Sequence, residues 1–209
     1  MTETVVYLVR HGSTAANREV PYRLQGRALD LPMDDQGNDQ ARRAAGVLAT
    51  IRLDAVYTSP LLRARETAAW IGRPHGMAPV VVHELVEASL GRWEGLTWDQ
   101  ARAADPALVE AFLASPGTVA YPDGESFLDA QTRMVPVMGM LAARHSGGRI
   151  AVVSHNVTNR GYLAALMGIP IERARAIRQS NGGINVIDYA ANGPTVETVN
   201  AGFHLVDPL

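Results

Sequence analysis

At 209 residues, with 47% hydrophobic and 19% charged residues and a formal net charge of −2, the chain fits one globular domain over 1–209 and lacks the basic excess of a non-specific nucleic-acid binder. It has no cysteine, which rules out disulfides, thiolate metal sites and a cysteine nucleophile. No uncharged apolar run nears the ~18 residues of a membrane span and no signal-peptide pattern opens the chain, so a cytoplasmic protein without membrane or nucleic-acid partners is expected.

The first strand is predicted over 5–10, apolar through Val5-Val6-Tyr7-Leu8-Val9 and ending abruptly at Arg10-His11-Gly12. Residues 36–52 carry Ala41, Ala44, Ala45, Leu48 and Ile51 at helical spacing. A second strand over 54–59 runs into Pro60, and a helix over 61–72 is stopped by Gly72 and Pro74. Residues 79–84 read as a third strand through Val80-Val81-Val82. The stretch 95–121 reads as a helical excursion broken by Pro106 and Pro116, and 129–145 as a helix that Pro136 kinks or opens. A strand over 150–155 leads to a helix ending at Met167, and 184–189 and 196–200 read as closing strands. Alternation of this kind implies a three-layer α/β/α sandwich around a mostly parallel central sheet. The irregular stretch at about 88–128 is expected to be a helical insertion, or lid, over the carboxyl edge of that sheet.

Ligands of open parallel sheets bind beyond the carboxyl ends of the strands. Strand exits here deliver Arg10-His11, Ser59 just before Arg63, Glu84 and Glu87, and Ser154-His155. Gly12 is expected to remove a side chain that would block the approach of a ligand. Two guanidinium groups, two imidazoles and one or two carboxyls suit a phosphate monoester. Arginine forks match phosphate oxygens, imidazole serves as nucleophile or cationic donor, and a glutamate can protonate a leaving oxygen and then activate water.

Arg10-His11-Gly12, with Thr14 and Asn17 at the spacing that follows, resembles the signature of the histidine phosphatase superfamily, the phosphoglycerate mutase-like proteins. Leu24-Gln25-Gly26, the block from Thr58 to Ala68, Leu85 to Gly95, Gly124-Glu125-Ser126, Val153-Ser154-His155 and Asn200 to Leu205 resemble further blocks of that family in order, nearly end to end. The resemblance implies a nucleophilic His11 that becomes a phosphohistidine. It implies phosphoryl binding by Arg10, Arg63, His155 and Asn17, a general acid and then base in Glu87, and a substrate side lined by Gln25 and Gly26. It implies no metal and no cofactor. Asn156 departs from the family, which usually has glycine after the second histidine, and is a candidate contact to the substrate. For His11 to attack, its other ring nitrogen should donate to a fixed acceptor, a backbone carbonyl being the expected one.

Plainer roles fit other residues. His75, His83, His145 and His204 read as surface or structural, Trp93 and Trp98 as packing within the insertion, and Ser126 as a helix cap. The expected activity is hydrolysis of a small phosphorylated metabolite. Phosphoglycerate-type phosphoryl transfer is the alternative, disfavoured because mutases of the family tend to be longer, with a C-terminal tail, whereas this chain closes soon after His204-Leu205. A non-catalytic phosphate- or protein-binding module is the third reading, and a homodimer stays open.

Overall fold

The apolar run near the start of the chain forms β1 (Thr4–Arg10), which sends Val6 and Leu8 to one face of a sheet and Val9 to the other. The computed structural model describes residues 3–206; residues 1–2 and 207–209, included in the expected domain, lie outside the described ones. After β1 come α1 (Ala15–Arg18), α2 (Asp35–Leu48), β2 (Ala55–Thr58), α3 (Leu62–Gly72), β3 (Val80–Val81), α4 (Trp98–Ala104) and α5 (Pro106–Ala114). The remaining elements are α6 (Phe127–Arg144), β4 (Arg149–Ser154), α7 (Asn156–Leu166), β5 (Ile184–Ala190) and β6 (Gly193–Ala201).

The strands form one sheet in the order β3-β2-β4-β1-β5-β6. The first four run parallel, and β5 and β6 close one edge antiparallel. On one face α2 and α3 press Ala44, Leu48, Ala64, Ala68 and Ile71 against Val9, Val56 and Val153. On the other, α6 and α7 press Met134, Met138, Leu141, Tyr162 and Leu163 against Leu8, Ile150 and Val152. Because both faces are covered, β1 and β4 read as continuous apolar runs. The expected three layers and mostly parallel sheet are therefore the observed ones.

Local departures have local causes. The third strand shrinks to Val80–Val81, both exposed at the sheet edge, because the chain turns in at His83–Leu85 to bury Leu85 and, beyond it, Glu87. Glu84, on that turn, faces outward. Helix α6 begins earlier than predicted, since the Ser126 hydroxyl accepts from the Asp129 N–H and the Asp129 carboxylate reaches back to Ser126. Pro136 lies inside that helix. Pro106 does not merely break the excursion but starts α5, where its missing N–H is no loss. Within the stretch 88–128 Trp93 is fully buried, packs edge-on against Phe112 and Tyr121, and donates from Nε1 to Asp105 at 2.9 Å.

Candidate active site

Arg10 on β1 stands opposite Ser154 on the adjacent β4, so the next residues, His11 and His155, leave the sheet side by side. Their ring centroids are 5.0 Å apart. Nδ1 of His11 lies 2.7 Å from the Gly12 carbonyl. A carbonyl only accepts, so Nδ1 carries the proton and Nε2 keeps a lone pair. Nε of Arg63 donates to that lone pair at 3.2 Å. Burial pushes the His11 imidazole well below the ordinary 6.5, the charges of Arg63 and Arg10 add to this, and the bond to Gly12 opposes it.

His155 is fully buried, with Nε2 at 2.6 Å from the Ser59 hydroxyl and Nδ1 without a hydrogen-bond partner among the described residues. Burial lowers its pKa well below 6.5, followed by the charges of Arg63, His11 and Arg10. Arg63, in the first turn of α3, is 1% exposed and donates to the carbonyls of Gly26 (2.9 Å) and Leu29 (3.4 Å). Arg10 donates from Nη1 to the Gln179 carbonyl at 2.6 Å, while its buried Nε lacks a partner among the described residues. Burial lowers the Arg10 pKa to about 10, against the opposing charge of Glu87.

Glu87 occupies the start of α7. One carboxylate oxygen accepts from the backbone N–H of Asn156 (2.9 Å) and Val157 (3.1 Å); the other accepts from Thr158 N–H (3.1 Å), Thr158 hydroxyl (2.9 Å) and Ala88 N–H (2.9 Å). His155 offers α7 no side-chain cap, so Glu87 supplies acceptors for donors that the helix itself leaves unpaired.

A cavity of about 320 Å³ opens above these groups. Arg10, His11, Asn17, Gln25, Glu87 and Asn156 line it, whereas Gly26, Arg63 and His155 are not among its lining residues. Gly26 acts there through its carbonyl on Arg63. The Gln25 amide is held at both ends, by the Thr14 hydroxyl at 2.7 Å and the Leu29 carbonyl at 3.0 Å. Asn17 has its Oδ1 engaged by Thr14 and by Asn181, which leaves its NH₂ for the cavity. Among the described residues no group of three or more His, Cys, Asp or Glu could hold a metal ion.

Some cavity residues escaped the sequence reading. Arg160 lies four residues after Asn156, a helical spacing that could have found it. Arg175, on the 3-10 turn Ile171–Ala176, and Asn181 had no local signal. Trp98 both packs against Trp93 and lines the cavity. The expected role of Gly12 needs correction. A Cβ there would meet the Gly37 carbonyl at 2.3 Å and Met33 Sδ at 2.7 Å, so its smallness admits α2, not a ligand.

Comparison with known proteins agrees with this geometry. "Phosphoserine phosphatase 1" of Hydrogenobacter thermophilus is 27% identical over 198 residues, covering 95% of this chain and 92% of that protein. "Probable phosphoglycerate mutase GpmB" of Klebsiella pneumoniae is 29% identical over 208 residues, covering 97% and 95%. The solved structure of Bacillus stearothermophilus YhfR superposes with a TM-score of 0.89 at 30% identity, over 97% of this chain and 100% of that one. With the family model matching residues 6–202, the chain belongs to the histidine phosphatase superfamily, branch 1.

Proposed function

We propose that the protein is a phosphomonoester hydrolase that works through a phosphohistidine at His11 on a small phosphorylated metabolite, without a metal ion. The observation that carries this reading is the contact of His11 Nδ1 with the Gly12 carbonyl, which keeps the proton on Nδ1 and leaves a lone pair on Nε2 of a residue that lines the cavity. The Arg63 N–H that rests on this lone pair moves to a phosphoryl oxygen when substrate arrives.

Nε2 then attacks phosphorus, the ester P–O bond breaks, and Glu87 gives its proton to the departing alcohol oxygen. In the second half a water attacks the phosphohistidine, Glu87 takes the water's proton, the P–N bond breaks and inorganic phosphate leaves. Arg10, Arg63, the Asn17 amide and His155 neutralise the phosphoryl oxygens, with the phosphate dianion favouring the imidazolium of His155. These guanidinium groups supply the positive charge that a metal would otherwise bring. The segment 88–128 acts as an insertion that walls the cavity with Trp98 and Tyr121. The protein is read as a cytoplasmic single-domain enzyme; among the described residues no helix is long and apolar enough to cross a membrane.

Phosphate release from p-nitrophenyl phosphate in excess chelator tests the reading. His11→Ala is expected to abolish both turnover and the trapping of acid-labile phosphate. Trapping retained in His11→Ala would remove His11 as nucleophile. Interconversion of 2- and 3-phosphoglycerate without net phosphate release would favour the mutase, and stoichiometric binding without turnover the binding module.

A further inference from the structure

Ser59 has no part in the proposed chemistry, yet it is fully buried against one of the two imidazoles. On β2, Thr58 stands opposite Val153 of β4, and the Ser59 N–H donates to the Val153 carbonyl at 3.0 Å. The two chains therefore leave the sheet level with each other, Ser59 beside Ser154, with His155 next. Pro60 biases Ser59 away from helical backbone, so its hydroxyl is presented before α3 begins. The Leu61 N–H then donates back to Ser59 Oγ at 3.3 Å, the short loop a serine makes with the second residue after it.

The hydrogen-bond inventory of this pair decides where the His155 proton sits. A serine hydroxyl has one proton to give and two lone pairs. Among the described residues Ser59 Oγ meets two groups, the Leu61 N–H and Nε2 of His155 at 2.6 Å. An N–H accepts nothing, so Nε2 is the acceptor in reach of the hydroxyl proton. Burial, and after it the charges of Arg63, His11 and Arg10, keeps the His155 ring neutral, with one proton to place. With that proton on Nε2, the serine proton and the buried Nδ1 would both go unpaired. With it on Nδ1, Ser59 donates to Nε2, and the Nδ1–H alone is left without a partner among the described residues. Buried polar groups left unpaired are costly, so the second arrangement is the favoured one.

We infer that Ser59 is a positioning residue: by donating to Nε2 it fixes His155 as the Nδ1–H tautomer, and this buried, unpaired N–H is the donor that His155 holds ready for a phosphoryl oxygen. The acceptor rests on the phosphatase reading; the tautomer does not. His11 and His155 then share a tautomer but put opposite nitrogens to use. At His11 a carbonyl takes the Nδ1 proton and frees the Nε2 lone pair; at His155 a hydroxyl occupies the Nε2 lone pair and frees the Nδ1 proton. When a phosphate dianion draws a second proton onto the ring, that proton enters at Nε2, and the Ser59 hydroxyl turns from donor to acceptor.

Nitrogen NMR of the His155 ring, in isotope-labelled protein at neutral pH without phosphate, reads the tautomer directly, with His155→Gln to assign the signals. Nδ1 is expected in the range of a protonated imidazole nitrogen and Nε2 in that of a bare one. The reverse pattern, or two averaged shifts, overturns the tautomer. In Ser59→Ala the two shifts should converge or exchange places, and kcat for p-nitrophenyl phosphate should fall about tenfold, the scale of one lost hydrogen bond. Ser59→Cys, which keeps the volume and donates only weakly, replaces alanine if that variant does not fold. A pattern unchanged in the variant removes Ser59 as its cause, and a changed pattern with full kcat overturns the part of the Nδ1–H in turnover. Inorganic phosphate should move the Nδ1–H proton signal of the unsubstituted protein downfield. Phosphate that shifts the His11 signals and leaves this one in place overturns donation to a phosphoryl oxygen. Failure of the phosphatase reading shows separately, as no phosphate release from p-nitrophenyl phosphate with the tautomer pattern intact.

Discussion

The Thr158 hydroxyl lies 2.9 Å from Oε1 of Glu87 and 3.0 Å from the Val86 carbonyl. It has one proton, so it donates to one of the two at a time. Turned one way it donates to Oε1; turned to Val86 it leaves that oxygen to the N–H groups of Thr158 and Ala88. Rotation of one hydroxyl, without movement of heavy atoms, thus adds or removes one donor on Glu87 as the proposed acid and base steps change its charge.

Thr158→Val is therefore expected to slow turnover about tenfold for alkyl phosphates, whose leaving oxygen needs the proton, and much less for p-nitrophenyl phosphate. Thr158→Ser, which keeps the hydroxyl, should restore the rate. A leaving-group series of kcat values checks this, and equal slowing across the series would count against the role.

Arg63 combines a bond to His11 with two anchors on the 26–29 loop, through the carbonyls of Gly26 and Leu29. Lysine brings the charge but not the planar fork that holds these directions together. Arg63→Lys is expected to lower kcat by about 10²–10³-fold, the scale for losing one preorganised donor. Steady-state kinetics with p-nitrophenyl phosphate measures it, and a kcat within threefold of the unsubstituted protein would place Arg63 outside the transition-state contacts.

The two depressed imidazoles set a pH dependence of stability. Unfolded, His11 and His155 take up protons as pH falls below about 6.5; folded, burial keeps them neutral to lower pH. The unfolded state then binds more protons, so their contribution is complete above 6.5 and declines as pH falls through that value toward the depressed folded ones. The slope reaches about 1.4 kcal/mol per pH unit for each imidazole. Thermal melting between pH 8 and 5 should show Tm falling below 6.5, with a shallower fall in His155→Gln. Inorganic phosphate, which favours imidazolium, should flatten the fall as well. A Tm unchanged down to pH 5 would contradict the assignment.

The parts of the site visible in the sequence are those set by local pattern. β1 and β4 are buried on both faces, so their ends at Arg10 and Ser154 stand out as the points where apolar residues stop, and sheet topology brings such ends together. The choice between Glu84 and Glu87 was less visible, because the inward turn that buries Leu85 is a matter of packing. The cap that Glu87 makes on α7 joins residues about 70 positions apart, and no periodicity reports such a contact. Arg175 reaches the cavity from a 3-10 turn too short to show a face. Gly12 departs from its expected role for the same reason: its neighbour, Gly37, lies at the start of a helix whose docking the sequence does not display.

That docking gives a prediction that separates the frame from the chemistry. A Cβ on Gly12 would stand 2.3 Å from the Gly37 carbonyl, and a Cβ on Gly37 would stand 2.0 Å from the Ser13 carbonyl, so the two backbones meet at glycine on both sides. Gly12→Ala must push α2 away from the β1 exit or twist the Gly12 carbonyl that fixes the His11 tautomer. Overpacking of this kind costs about 1–3 kcal/mol. Denaturant unfolding should show that loss, together with a fall in kcat as His11 loses its fixed acceptor. Gly139→Ala on α6, where a Cβ meets nothing within 4 Å, serves as the control and should instead stabilise by roughly 0.5–1 kcal/mol through helix propensity. Full stability and activity in Gly12→Ala would mean that the contact with Gly37 does not hold His11 in place.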